Sequence, residues 1–434
     1  MNKPTASLRA RILKDDFLRH TGVMVLGTGL VNVFNLVYQL GLVRLLSVVE
    51  YGILNALISI LVVASQFTVP FRPVLARSFA SYLALNETGP VRKLLKLATR
   101  DLGLIAAGIF LAITVFSGTL AAWQQIDQSH YIILTGLVIA AATAAIVPGA
   151  FLWGYQRFTG LAALGVLPTF LKLLTGIALI YAGFGVYGAL AGYIVLPVAA
   201  LLIGGILVRG QVRNFPTART TQAENVTMGR IYRDFIPTGI ALFAFAVLTN
   251  FDVILVKHLF SPREAGYYSV AQIVGKMILF LPSALAIVVF PKSAASRARN
   301  KASSPLLKKG IISVALFNIS AFSVCLIAPG LVLKVLTGKT DVESILLVPW
   351  FTLGMSFYAL TWIVIFYNLS IQNNKCIIPL AAIGVLQSLA IYIHHPSLVS
   401  ILVILNISAF LSFIVTLVLS KSKVKPVYSR KQHC

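Results

Sequence analysis

The chain has 434 residues, of which 58% are hydrophobic and 11% charged, and its net charge is +24. Soluble domains are about half apolar and about a quarter charged, so this chain has too little polar surface to cover a water-soluble globule of its size. The basic residues lie in short clusters between apolar runs, without a nucleic-acid-binding motif. This pattern indicates loops beside anionic membrane lipid and argues against a nucleic-acid partner.

Apolar stretches long enough to cross about 30 Å of hydrocarbon recur along the whole chain. We predict about twelve transmembrane helices, at residues 21–43, 51–73, 102–122, 131–153, 161–183, 186–208, 235–258, 267–290, 310–333, 344–367, 376–394 and 397–420. The pairs within 161–208 and 376–420 have the shortest connections between their two spans. Each of these pairs is also compatible with one span and a re-entrant piece.

The distribution of basic residues supports this count. With twelve spans, 29 Lys and Arg residues lie in loops on one side, 5 lie on the other side, and 2 lie within spans. Basic loops are cytoplasmic, so we predict a multi-pass protein of the plasma (inner) membrane with both termini in the cytoplasm. Residues 1–20 are then a cytoplasmic N-terminal segment, 209–234 a cytoplasmic linker, and 421–434 a basic cytoplasmic tail.

Sequence self-similarity near the midpoint predicts a duplicated unit. Three segments recur in order, 44–52 as 258–266 at an offset of 214, 77–81 as 292–296 at 215, and 161–167 as 380–386 at 219. Each pair lies at an equivalent place in the two copies. Because each copy has six spans, the second re-enters the membrane in the same orientation as the first. We therefore predict an all-α membrane protein of two parallel six-helix lobes, 21–208 and 235–420.

Two short motifs carry a family resemblance. The pattern L-x-S-x-x-E-x-G stands between spans 1 and 2 and again between spans 7 and 8, and a short turn at 154–158 follows span 4. These motifs resemble the polysaccharide-unit flippases of the multidrug/oligosaccharidyl-lipid/polysaccharide (MOP) exporter superfamily, over roughly residues 12–420. The chain departs from the repeat at 372–374, where Gln-Asn-Asn stands in place of the Gln-Arg-Phe of 156–158.

The resemblance implies a MATE-like (MOP) fold and a flippase activity. The substrate would be an undecaprenyl-diphosphate-linked oligosaccharide, moved from the inner to the outer leaflet for O-antigen (lipopolysaccharide), capsule or exopolysaccharide. Partners would be membrane lipids and, through shared biosynthesis, a polysaccharide polymerase. Alternating access by the two lobes would expose one central cavity to each side in turn.

Two lysines lie near the middle of predicted spans, Lys172 in span 5 and Lys276 in span 8. Charge at this depth is costly and indicates function by default. Cationic side chains in a wet cavity would lower the barrier for a lipid diphosphate, so we predict that both line the substrate cavity. The alternative is that each lysine only holds helices together.

Other charged residues lie within spans or at their ends. Asp252 is the acid placed well inside a span, and it is a candidate for H⁺ or Na⁺ coupling or, preferably, for a salt bridge with Lys276 or Lys257. Arg72, Arg44 and Lys257 lie at the ends of spans 2, 1 and 7. They are candidates for contacts with the diphosphate, or else ordinary interfacial anchors.

Span 1 carries a polar stripe of Thr28, Asn32, Asn35 and Gln39, spaced to share one helix face. In lipid such a face must point at protein or water. We predict that Asn32, Asn35 and Gln39 line the cavity and bond to sugar hydroxyls. Hydrogen bonding between helices is the alternative.

Several other classes of function fit less well. No nucleotide-binding loop and no metal-binding spacing of Cys, His, Asp or Glu occurs, so we expect no nucleotide, metal or other cofactor beyond a coupling ion. A membrane glycosyltransferase would need an acidic outer loop, and we predict that the chain is not an enzyme. The runner-up is a cation-coupled exporter of drugs or metabolites from the same superfamily, followed by a peptidoglycan-precursor flippase.

Overall fold

The computed structural model describes residues 16–84, 87–213, 215, 228–279, 304–370 and 373–420, and every regular element in these ranges is helical. The helices are α1 Asp16–Leu45, α2 Val48–Ser65, α3 Phe71–Ala84, α4 Thr88–Val115, α5 Ser117–Trp123, α6 His130–Ala144, α7 Ile146–Gly154, α8 Phe158–Leu179, α9 Gly185–Arg213, α10 Gly229–Leu259, α11 Pro262–Met277, α12 Ser304–Ile327, α13 Pro329–Thr337, α14 Val342–Ser370, α15 Ile377–Ile393 and α16 Leu398–Ser420. The predicted all-α class is confirmed.

Nine stretches of the described helices are long and apolar enough to span a membrane. One of them, Phe158–Arg213, contains both α8 and α9, which meet at a kink where Gly183 has φ 90°. α15 is a further, shorter apolar helix. The pairs predicted within 161–208 and 376–420 are therefore two helices each. The later part of predicted span 267–290, most of 1–20, half of 209–234 and all of 421–434 lie outside the described residues.

Helix breaks fall inside four of the predicted spans, 51–73, 102–122, 131–153 and 310–333. The span predicted at 51–73 is wrong in its second part, because α2 ends at Ser65 and α3 begins only at Phe71. Pro70 disfavours helical backbone at the residue before it, so the chain turns there. The span predicted at 131–153 corresponds to one apolar stretch, His130–Gly154, although it consists of two helices, α6 and α7. Pro148 has no N–H to donate to the carbonyl four residues earlier, and the helix is interrupted at Ala145.

By contact density the chain forms two compact units. Unit 1 contains Met1–Leu45, Thr68–Ala121 and Gln128–Phe235, and unit 2 contains Leu46–Phe67, Ala122–Asp127 and Ile236–Cys434. The main boundary, between 235 and 236, lies at the end of the predicted linker 209–234. Two segments of the predicted first lobe nevertheless group with unit 2. The lobes 21–208 and 235–420 stay a prediction.

Within unit 2, the repeated motif L-x-S-x-x-E-x-G forms the same local structure in both copies. Ser47 Oγ accepts from the Glu50 backbone N–H at 3.2 Å, and the Ser47 N–H donates to Glu50 Oε2 at 3.0 Å. Ser261 and Glu264 make the equivalent pair of bonds at 3.3 and 3.1 Å. These reciprocal bonds are capping boxes, which fix where α2 and α11 begin.

The glycine of each motif copy lies where α2 and α11 cross. A Cβ on Gly52 would lie 2.9 Å from the Gly266 Cα, and a Cβ on Gly266 would meet the Val48 carbonyl oxygen and lie 2.6 Å from Val48 Cγ1. Only hydrogen fits at either position. The Ser-Glu pair therefore starts each helix, and the glycine lets the two helix starts pack against each other.

Removing one capping box should destabilise the protein measurably. We expect Ser261→Ala to lower the free energy of unfolding by about 1 kcal/mol, because the first-turn N–H loses its acceptor. The measurement is an SDS titration in mixed micelles, followed by circular dichroism. Ser320→Ala, at an exposed position inside α12, is the control and should change little. Equal stability of the two variants would contradict the capping role.

Two loops also bond to helix ends in a repeat-related way. Residues 122–127 dock on the end of α10, where Gln124 Nε2 donates to the Ile254 carbonyl at 3.1 Å and Gln125 Nε2 to the His258 carbonyl at 2.8 Å. In the other sequence half, Lys339 Nζ donates to the Leu46 carbonyl, just past the end of α1, at 2.9 Å. In each sequence half, the loop that follows the third predicted span therefore bonds to the chain at the end of the first predicted span of the other half. This correspondence supports the predicted duplication.

Candidate functional site

Lys172 occupies an enclosed position in unit 1. It lies in α8 and is 5% exposed, and its Nζ donates to Asn35 Oδ1 of α1 at 3.0 Å. The same nitrogen lies 4.6 Å from the ring centroid of Tyr38 and 4.3 Å from that of Tyr193. A cation within about 6 Å of an aromatic face is attracted by the ring quadrupole. Asn35, Tyr38 and Tyr193 form what we call the Lys172 cage.

Tight packing fixes the tyrosines of the cage. Tyr38 donates its hydroxyl to the Ala189 carbonyl at 2.7 Å, and its ring meets the Tyr193 ring at 66° with centroids 5.6 Å apart. A Cβ on Gly176 would lie 2.6 Å from the Tyr38 ring, and one on Gly192 would lie 2.5 Å from its hydroxyl. Two glycines therefore make room for the Tyr38 ring between α8 and α9.

The cage holds the ammonium without neutralising its charge. Within the described ranges, no Asp or Glu carboxylate lies within 4 Å of Lys172 Nζ. The contacts are one amide oxygen and two aromatic faces, none of which carries a net charge. Two of the three ammonium N–H groups remain for another acceptor. The site therefore places the Lys172 amine in an apolar environment without a carboxylate partner.

The polar stripe of α1 is only partly joined to this cage. Asn35 binds Lys172, as described above. Thr28 and Asn32 are exposed, and Gln39 is half-buried. The structure thus brings one predicted stripe residue to the lysine and places the others along the same helix.

The other predicted lysine, Lys276, lies in unit 2 and also binds an asparagine. Its Nζ donates to Asn250 Oδ1 of α10 at 2.9 Å, and Asn250 Nδ2 donates to the Ala246 carbonyl at 3.1 Å. Asn250 and Asn35 are 215 residues apart, the offset of the sequence repeat. Each half therefore uses the same repeat position to hold a lysine, although the lysines come from non-equivalent helices.

Asp252 is fully buried in a hydrogen-bonded network of unit 2. Its Oδ2 accepts from the Tyr268 hydroxyl at 2.8 Å and from Gln272 Nε2 at 3.4 Å, and Gln272 Oε1 accepts from Asn55 Nδ2 at 3.0 Å. Its Oδ1 is buried without a partner. The charge of Lys276 acts on this carboxylate, but the Lys276 nitrogen bonds to Asn250 instead.

The remaining predicted cations occupy different positions in the helices. Lys257 is 1% exposed and donates to the Gln125 carbonyl at 3.2 Å, so a backbone acceptor already holds its ammonium. Arg44 is exposed in the last turn of α1. Arg72 is exposed in the first turn of α3, and a Cβ on Gly149 would lie 3.1 Å from its Nε. Over the described part of the chain, no group of three His, Cys, Asp or Glu residues could hold a metal ion.

The sequence matches a known protein family over most of its length. The family model described as polysaccharide biosynthesis protein matches residues 17–294, well over half of the chain. The chain belongs to the polysaccharide biosynthesis protein family. The match includes Lys172, the Lys172 cage, Asp252 and Lys276. No curated protein matches the sequence of this family member significantly.

Solved structures place this polysaccharide biosynthesis protein in the MOP fold. It is similar to an inward-facing multidrug resistance MATE family transporter of the MOP superfamily, with TM-score 0.68 and 12% identity over 91% of this chain and 96% of that chain. It is similar to the lipid II flippase MurJ in an inward closed conformation, with TM-score 0.64 and 13% identity over 92% and 86%. The predicted MATE-like membrane fold is confirmed.

A third similar structure concerns the polarity of the binding pocket. A MOP superfamily transporter from Pyrococcus furiosus has TM-score 0.61 and 14% identity, over 96% of this chain and 99% of that chain. Its binding pocket is described as having reverse polarity, which suggests a different function for that protein. The family match and the apolar helices make the present chain a multi-pass membrane protein of the polysaccharide biosynthesis protein family, with the fold of these MOP transporters.

Proposed function

We propose that this transporter moves a polyprenyl-diphosphate-linked oligosaccharide from the inner to the outer leaflet, for surface polysaccharide biosynthesis. The observation that carries the proposal is the Lys172 cage. A buried ammonium normally has a carboxylate partner, because moving the charge out of water costs several kcal/mol. Removing one partner of a buried ion pair destabilises a protein by about 3–5 kcal/mol. Here aromatic faces and one amide oxygen hold the ammonium, so the charge is left to attract an anion. A lipid diphosphate is such an anion.

The charges also argue against the alternatives. An exporter of cationic drugs would need buried carboxylates to bind its substrate. Asp252 is buried, but its neighbours are the hydrogen-bond donors Tyr268 and Gln272 and the charge of Lys276. A flippase for a peptidoglycan precursor also carries a lipid diphosphate, and MurJ shares the fold. The family match favours surface polysaccharide units over that precursor.

A reconstituted transport assay tests the proposal. The purified chain is placed in liposomes containing a fluorescent undecaprenyl-diphosphate-linked oligosaccharide, and an impermeant glycosidase reports which leaflet the sugar occupies. We expect the chain to accelerate movement between leaflets relative to protein-free liposomes. If the chain leaves the sugar lipid where it is but moves a cationic dye, the exporter function replaces this one.

We further propose that Asp252 carries a coupling proton. Two hydrogen-bond donors and a nearby lysine surround its carboxylate, whereas a Na⁺ site needs several oxygen acceptors. Its partner-free Oδ1 is the atom that would take the proton. We expect Asp252→Asn to abolish stimulation of transport by an imposed pH gradient, while Asp341→Asn, on the loop before α14, keeps it. If a Na⁺ gradient stimulated transport, or if the Asp252→Asn variant still responded to the pH gradient, the proposal of a coupling proton would be refuted.

The cellular setting is proposed with the substrate. The chain would lie in the plasma (inner) membrane with both termini cytoplasmic, since 29 of its basic residues fall in alternate loops. Its product would be consumed by a polysaccharide polymerase at the outer leaflet. Residues Arg72, Arg44, Asn32 and Gln39 stay candidates for contact with the substrate.

A further inference from the structure

Three aromatic side chains follow one face of α14 in unit 2. Tyr358, Trp362 and Phe366 are spaced by four residues and so lie one above another. The Trp362 ring centroid lies 4.6 Å from that of Phe366 and 4.6 Å from that of Phe245 in α10. Trp362 and Phe366 are half-buried, whereas Tyr358 is fully buried. We call Trp362, Phe366 and Phe245 the aromatic platform.

The core of unit 2 does not explain this platform. α14 packs into that core through a neighbouring face, where Ala359, Ile363 and Val364 lie in one buried apolar cluster with Val314 of α12. The three platform residues are absent from that cluster; Trp362 and Phe366 are half-buried, whereas Phe245 is buried. Trp362 and Phe366 therefore present ring surface that this cluster does not cover.

One polar atom of the platform lacks a partner. Trp362 Nε1 is buried and has no hydrogen-bond acceptor, whereas the Tyr358 hydroxyl, one turn away, donates to Gln387 Oε1 at 2.5 Å. Leaving a buried donor unpaired is unfavourable, and such groups in native structures call for an explanation. A ligand oxygen that reached this N–H would supply the missing acceptor.

A lysine-asparagine pair lies close to the platform in the same unit. Lys276 follows Gly275, where a Cβ would lie 3.2 Å from Met355 Cγ of α14, and Trp362 lies seven residues, about 10.5 Å, along α14 from Met355. Asn250 holds the ammonium of Lys276. A cation and an aromatic surface therefore lie in the same part of unit 2, about two helix turns apart along α14. In a lipid-linked saccharide, the diphosphate is bonded directly to the first sugar.

We propose that the aromatic platform binds a pyranose ring of the transported saccharide, an inference that rests on the proposed function. The C–H groups on the apolar face of a pyranose carry partial positive charge, and the face of an indole is negative. Stacking on Trp362 satisfies both, and the indole N–H donates to a sugar hydroxyl. The platform thus recognises the sugar, independently of the lipid diphosphate.

Binding of two lipids that differ only in the sugar tests the platform. The probes are undecaprenyl diphosphate and undecaprenyl-diphosphate-linked N-acetylglucosamine, measured with the full chain in nanodiscs. We expect Trp362→Leu to weaken binding of the sugar-linked probe about threefold to tenfold and to leave the sugar-free probe unchanged. Trp362→Phe should fall between, because it keeps a ring but loses the N–H.

The control is Trp350→Leu, on the same helix and 38% exposed, which should change neither probe. Equal weakening of both probes by Trp362→Leu would make the residue structural and overturn the platform. No change with either probe would overturn it as well. If Lys172→Gln then still weakens both probes, the proposed function survives that failure. If neither probe binds the unaltered chain, the proposed function fails and the platform with it.

Discussion

Replacing Lys172 with glutamine is expected to lower transport of the lipid-linked saccharide about tenfold to hundredfold. Glutamine keeps an N–H that can donate to Asn35 but has no charge. A hydrogen bond to a charged group contributes about 1.5–3 kcal/mol, and each 1.4 kcal/mol is a factor of about ten. The loss should fall on transport while the helices stay packed. The measurement is the leaflet assay with impermeant glycosidase, at matched protein content.

Three variants separate the charge of Lys172 from its packing. Lys96→Gln removes an exposed lysine from α4 and should leave transport unchanged. Lys172→Arg keeps the charge and should retain part of the activity, since a planar guanidinium fits two aromatic faces differently from an ammonium. Tyr193→Leu removes one face and should resemble Lys172→Gln. Normal transport by Lys172→Gln would make the lysine structural and remove the main support for an anionic substrate.

The depth of Lys172 was accessible from the sequence, but its partners were not. Hydropathy locates a span to within a few residues, and a charge inside it is visible at once. Asn35 was also accessible, because polar residues at helical spacing share a face. Tyr38 follows Asn35 by three residues and could have been found by the same spacing. Tyr193 could not, since only the packing of α8 against α9 brings it to the lysine.

The sequence repeat could have predicted one further residue of the lysine sites. Adding the offset of 215 to Asn35 gives Asn250, which binds Lys276. For Asp252, the sequence favoured a partner of opposite charge, whereas the hydrogen bonds come from Tyr268 and Gln272. Neutral hydrogen-bond donors on a neighbouring helix cannot be predicted from composition or charge. Such partners follow from the crossing of α10 and α11, which the sequence does not specify.

The motif L-x-S-x-x-E-x-G shows how local and distant information combine. Its Ser-x-x-Glu part is a capping box that the sequence alone could have revealed. Its glycine has no local requirement, because Gly52 and Gly266 both lie within helices. Each glycine is required because the opposing helix leaves no room for a Cβ at that position. A motif that marks the family is thus partly a rule for starting a helix and partly a rule for packing two helices together.

Gly266→Ala is expected to lower the free energy of unfolding more than Gly52→Ala or Gly108→Ala. The added methyl would overlap the Val48 carbonyl oxygen and lie 2.6 Å from Val48 Cγ1. Backbone on the opposing helix cannot rotate away as a side chain can. Overpacking typically costs about 1–3 kcal/mol, and with backbone as the obstacle we expect the upper end of that range. SDS titration in mixed micelles gives the change in free energy of unfolding.

Gly108→Ala is the matched control, since a Cβ at that position of α4 meets nothing within 4 Å. Alanine is the better helix former by about 1 kcal/mol, so this control should be neutral or slightly stabilising. The same propensity gain applies at Gly266, and the difference between the two variants therefore isolates the clash. If Gly266→Ala were as stable as Gly108→Ala, α2 and α11 would have to lie farther apart than the structure places them.

Gly52→Ala extends the argument to the other copy of the motif. Its methyl would lie 2.9 Å from the Gly266 backbone, so it should destabilise in the same direction. Once one substitution has pushed the helices apart, the second meets less resistance, and the double variant should lose less stability than the two singles combined. Separation of the helices should also break the bond between Asn55 and Gln272, and with it the support of Asp252. The duplicated glycines therefore constrain each other, and through this network they constrain the proposed coupling site.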